Sequence, residues 1–70
     1  MKYEIMLKIK EYRNSSFETK YRVVADSEIR MNLIKIQYLE IGQKRSAEWF
    51  DYVVLVNKLD DDGNFIETVC

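Results

Sequence analysis

Apolar residues recur at every second position through Tyr3 to Arg13, with Tyr3, Ile5, Leu7 and Ile9 on one side and Glu4, Met6, Lys8 and Lys10 on the other. That period is the pattern of a strand with one buried face. Arg13-Asn14-Ser15-Ser16 is turn chemistry, and Phe17 to Ala25 resumes the alternation, with Phe17, Tyr21, Val23 and Ala25 set against Glu18, Lys20 and Arg22. Both apolar sets share a face only if odd residues pair with odd residues. An odd-numbered loop such as Asn14 to Ser16 does this. The first unit is therefore a β-hairpin. In that register Lys10 faces Lys20 and Lys8 faces Arg22, four basic groups able to hold a phosphate, a nucleic acid or an acidic protein surface. Alternatively they form a solvated face offset by Glu4, Glu11 and Glu18.

From Asp26 to Gly42 the period changes. Asp26 or Ser27 can cap a helix, Glu28 suits its positive end, and Gly42 sits where a C-cap glycine would, followed by Lys44 and Arg45. At about 100° per residue, Ile29, Leu33 and Ile36 form one stripe with Leu39 beside it. Met31, Ile34, Tyr38 and Ile41 form a second, nearly opposite. A helix apolar on two sides needs two partners: its own sheet, and a second copy or a target protein. The competing reading is a strand, since Ile29 to Leu33 and Ile34 to Tyr38 also alternate. The capping signals favour the helix.

Gln43 to Glu48 is a polar connection. Trp49 to Leu59 is rich in aromatic and β-branched residues and apolar on both faces from Tyr52 to Val56, which predicts a central strand or one covered on both sides. Asp60 to Asn64 is a turn and Phe65 to Val69 a last strand. The order is ββαββ, an α+β domain with an antiparallel sheet packed against one helix.

Seventy residues make one small domain, which buries only roughly 60% of the surface its unfolded chain exposes. Cys70 is the single cysteine and histidine is absent, so neither an internal disulfide nor the usual zinc set can support the core. Oligomerisation or a permanent partner is the expected support. A formal charge of −1 and a pI of 5.4 do not advertise a polyanion ligand, although nucleic-acid binding through Lys8, Lys10, Lys20 and Arg22, with Tyr12 to stack, remains an alternative. A self-assembling accessory subunit is another. No segment has a signal peptide's pattern or the roughly 18 apolar residues of a membrane span, so the expected location is the cytoplasm.

Catalytic chemistry is not expected: no histidine base accompanies a nucleophile, and Gly42 and Gly63 are the only glycines. The aspartates before Gly63 suggest calcium. An EF-hand loop from Asp60, however, would need glycine where Phe65 stands and a glutamate beyond Cys70. No metal or cofactor is expected. The candidate partner-binding residues are instead Met31, Ile34, Tyr38 and Ile41 on the helix's second stripe, with Trp49 and Phe50, because aromatic anchors dominate protein interfaces. Core packing competes for most of them.

The run Arg13-Asn14-Ser15-Ser16-Phe17-Glu18-Thr19-Lys20 resembles the hairpin turn of the Dmd-type antitoxins of T-even phages, a basic-Asn-x-Ser-(x)-Phe-(x)-Thr-Lys string. Gln37-Tyr38-Leu39-Glu40 is similar to a Gln-Tyr-x-Glu string in their helix. The resemblance covers roughly the first 41 residues; the Trp49–Leu59 strand and the Asp-rich hairpin have no counterpart in it. It implies a phage protein that evades host defence by binding and inhibiting a host ribonuclease toxin in the host cytoplasm.

Overall fold

The alternating segments become four antiparallel strands, and the stretch between them becomes a helix. The computed structural model describes residues 1–13 and 16–69. In it β1 spans Lys2–Lys10, β2 Glu18–Ala25, α1 Glu28–Lys44, β3 Asp51–Leu59 and β4 Phe65–Thr68. Spatial order in the sheet is β2-β1-β3-β4, so β1 and β3 are interior, as the two-sided apolarity of Tyr52 to Val56 predicts. They pair along their whole length, from Lys2↔Leu59 to Lys10↔Asp51. Asn14 and Ser15 of the expected loop, and Cys70, lie outside the described residues.

The β1–β2 pairing sets odd against odd as far as Tyr3↔Ala25, Ile5↔Val23 and Leu7↔Tyr21, but beyond Leu7 the parity changes and Ile9 faces Glu18. The expected cross-strand pairs of cations do not form. Arg22 faces Met6, and an irregularity between Leu7 and Lys8 sets Thr19, not Lys20, opposite Lys8. The physical reason is electrostatic: this register separates like charges and brings Arg22 to the Glu4 carboxylate, Nε to Oε2 2.5 Å. The extra residue also leaves an irregular, lysine-bearing edge on β2, which resists pairing with a further strand.

Ser27 caps α1, its Oγ accepting from the Arg30 N–H at 3.2 Å. The helix passes through Gly42 to Lys44, and Arg45 closes it, its N–H donating to the Ile41 carbonyl at 3.1 Å. Gly42 is thus not a C-cap. It is buried where the Tyr52 ring of β3 lies against the helix, and a β-carbon built there would fall well inside contact distance of that ring. The glycine lets helix and sheet approach.

The inward side of α1 rests on the odd-numbered face of β1. Ile5, Ala25, Met31 and Val56 form one buried cluster, with Tyr3, Val23, Ile34, Tyr38 and Val54 packed around it. Leu7, Ile9 and Trp49 form the other, flanked by Tyr38, Ile41, Tyr52 and Val54. Each such side chain contributes about 1.5–3 kcal/mol when fully buried. A radius of gyration of 12.6 Å and extents of 38 × 22 × 15 Å exceed the about 11 Å radius of a compact chain of this length. The molecule is a thin two-layer slab, with much surface for its core.

The aspartate-rich turn is a hydrogen-bonded β3–β4 connection. Asp60 Oδ1 accepts from the Asp62 and Asn64 N–H groups at 3.0 and 2.8 Å, and Gly63 takes the left-handed φ of 87°. The Asp60 carboxylate thus holds its own loop. The Asn64 backbone bond, helped by the remaining bonds and against the opposing effect of burial, holds the Asp60 pKa below the usual aspartate value.

Candidate protein-binding surface

The two stripes of α1 meet different environments. Met31 is buried, and Ile34, Tyr38 and Ile41 are half-buried against the sheet. The stripe expected to be free is therefore the one that packs. Tyr38 stacks on Tyr21 of β2, ring centroids 5.9 Å apart. Burial, with the Tyr21 phenol beside it, pushes its hydroxyl above the ordinary tyrosine value. Trp49 is buried as well: its backbone N–H donates to the Arg45 carbonyl at 2.9 Å, and the Arg45 guanidinium lies 5.7 Å from the centre of its ring. Of the six candidates only Phe50 stands exposed. The physical reason is fit: Met31 reaches the floor between β1, β2 and β3, while Gly42, roughly three turns further on, opens space for Tyr52 on that same side.

The opposite stripe faces outward. Ile29, Leu33 and Ile36 are 75%, 57% and 53% exposed, with Leu39 half-buried beside them. Three large aliphatic side chains at i, i+4 and i+7 on one helix face make a contiguous apolar strip. Sequence reasoning found the strip but placed its candidate binding residues on the other one. The glycine at 42, a marker of close approach on the other side, was the signal that distinguishes them.

The sheet's second face carries the even-numbered residues of β1. Among the described residues no other layer covers it. At one end a polar relay crosses all four strands. Arg22 of β2 pairs with Glu4 of β1, Asn57 Nδ2 of β3 donates to Glu4 Oε1 at 3.0 Å, and Thr68 Oγ1 of β4 donates to Asn57 Oδ1 at 3.0 Å. The Asn57 hydrogen bond, with Arg22 beside it, holds the Glu4 carboxyl below its usual range against the opposing effect of burial. Next come Met6 and Leu55, paired across β1 and β3, then Lys8 beside Val53 and Lys10 beside Asp51. Of the four cations considered for anion binding, Arg22 is thus engaged by Glu4, Lys20 sits at the β2 irregularity, and Lys8 and Lys10 remain together on the open face.

At the far end Tyr12 meets Phe50 edge-on, centroids 5.4 Å apart, and Lys10 Nζ stands 5.5 Å from the Phe50 ring. Both rings are exposed. This aromatic–cation corner adjoins the lysines and adds a further apolar feature to the surface.

Among the described residues no cavity is enclosed and no group of three or more histidine, cysteine, aspartate or glutamate side chains gathers where it could hold a metal ion. No helix there is long and apolar enough to cross a membrane. Set against protein-family models, curated proteins and solved structures, the chain matches none.

Proposed function

We propose that this chain is a non-enzymatic protein-binding module that uses the outward face of α1 to dock onto another protein. The observation that carries the reading is the exposed Ile29–Leu33–Ile36 strip on a folded, capped helix. Exposing such a strip costs solubility, and its burial in an interface returns the hydrophobic stabilisation that the thin core lacks. The charged groups with shifted acidities serve the fold instead of a reaction: Glu4 ties strands together and Asp60 ties a turn. Binding to a partner, with homo-oligomerisation as the domain's own support, fits these features.

The resemblance of Arg13 to Lys20 to the Dmd-type antitoxins makes the favoured partner a host ribonuclease toxin, met in the cytoplasm of an infected cell. The protein then acts as an inhibitor by occupying the enzyme's surface. The test is to mix it with ribonuclease toxins from host defence systems and follow both complex formation and RNA cleavage. A complex that suppresses cleavage, and is lost in Leu33→Asp, supports the reading. Neither complex nor inhibition across the set overturns it.

A second reading rests on the Tyr12–Phe50–Lys10 corner with Lys8 beside it: a single strand of nucleic acid stacking on the rings. Such binding weakens steeply with salt. No affinity for oligonucleotides at low salt removes it.

A further inference from the structure

From the spacing of apolar and charged residues along α1 we infer that its outward strip is closed by α1 of a second copy, running antiparallel about a twofold axis at the level of Lys35. This rests on the reading of the strip as a docking face and names its occupant.

In that arrangement residue i of one helix lies level with residue 70 − i of the other. Leu33 falls beside Ile36 of the second copy, and Ile36 beside its Leu33. Ile29 meets the second copy's Leu39, within about two residues' rise or ~3 Å. The four aliphatic residues of each strip therefore interleave along one seam, as packed helices require. The same axis sets Arg30 level with Glu40 of the second copy, and by symmetry Glu40 with its Arg30. Both residues are exposed; at about 100° per residue Arg30 borders the strip, whereas Glu40 falls on it one turn beyond Ile36, where a carboxylate entering the seam needs a cation opposite. A parallel pairing would set Arg30 against Arg30 and Glu40 against Glu40, so charge selects the antiparallel arrangement. Opposed helix dipoles favour it further. Lys35 itself is half-buried and turns away from the strip. A seam limited to one 17-residue helix, about 25 Å long, is a small interface, so the dimer should be reversible, with a dissociation constant in the micromolar range, on the order of 1–100 μM. Its two open sheet faces point away from the seam.

The test is sedimentation equilibrium of the full chain and three samples: Arg30→Glu, Glu40→Arg, and an equimolar mixture of the two. Each single substitution creates two like-charge contacts per dimer and should weaken self-association roughly tenfold. The mixture restores both ion pairs and should return to about the unsubstituted affinity. A chain that stays monomeric at the highest concentrations overturns the inference. So does a pair of single variants that associate as well as the parent, or a mixture no better than its components. Failure of the two readings is separable. A monomer whose Leu33→Asp variant loses a captured target retains the docking face and loses only the second copy. A Leu33→Asp variant altered in neither respect ends both.

Discussion

Asn57 donates its side-chain amide to the Glu4 carboxylate at 3.0 Å, joining the two interior strands through residues that are 53 positions apart in the chain. Glu4 is one-sixth exposed, at 16% of its side chain, whereas the Arg22 side chain that also binds it is 54% exposed. The two contacts therefore differ in weight. A half-sheltered hydrogen bond to a charged acceptor contributes more than an exposed ion pair. Glu4→Ala should destabilise the fold by about 1–2 kcal/mol, and Arg22→Ala by less than about 1 kcal/mol. Chemical denaturation of both variants checks the order; a larger loss for Arg22→Ala would reverse it.

Acid should unfold the protein through the same carboxylates. Glu4 and Asp60 both titrate below their ordinary values of 4.5 and 3.8 in the folded state. A depressed folded pKa means the unfolded chain takes up protons more readily. The stabilisation is complete above those ordinary values and is lost as pH falls through the folded ones. The melting temperature should be flat from neutrality to about pH 5 and fall below about pH 4. In Glu4→Gln with Asp60→Asn the fall should be shallower. An equally steep acid loss in that double variant would place the effect elsewhere.

Gly42 offers a sharper packing test. Alanine at a helical position ordinarily stabilises by about 1 kcal/mol relative to glycine. Here the methyl group meets the Tyr52 ring, so Gly42→Ala should instead destabilise by about 1–3 kcal/mol. Combining it with Tyr52→Val should recover part of that loss, and a double-mutant cycle measures the coupling. Additive effects would show that helix and strand do not touch there.

The contrast at α1 also shows where sequence reasoning stops. Alternation made the odd-numbered face of β1 legible, and its odd-to-odd pairing with β2 as far as Leu7, because the buried face of a sheet must be apolar. The register itself was not. The irregularity after Leu7 and the Arg22–Glu4 contact depend on two strands meeting, and no single strand records them. The helix carried two aliphatic stripes of nearly equal size, so periodicity could not orient it. What orients it is shape: Met31 reaches the sheet floor and Gly42 admits Tyr52. Trp49 stood among the interface candidates because aromatic anchors dominate protein interfaces, with core packing as the competing reading. Instead the turn after Arg45 carries the indole into the core and leaves Phe50 outside.

Gly63 is the residue whose φ of 87° requires glycine, since a β-carbon is strained in that region. Gly63→Ala should destabilise by about 1 kcal/mol or somewhat more without altering association, because the β3–β4 turn contributes no residue to the outward strip. Thermal melts and sedimentation on the same variant separate the two effects.

The central claim is that neighbouring residues of α1 have opposite duties, Ile34 holding the domain together and Leu33 holding it to something else. Leu33→Asp and Ile34→Asp test this directly, each followed by far-UV circular dichroism, thermal unfolding and sedimentation. The account predicts that Leu33→Asp keeps the folded spectrum and a cooperative melt while losing self-association. Ile34→Asp should lose the fold. A folded Ile34→Asp beside an unfolded Leu33→Asp would mean that the helix is turned the other way and that the binding surface lies elsewhere.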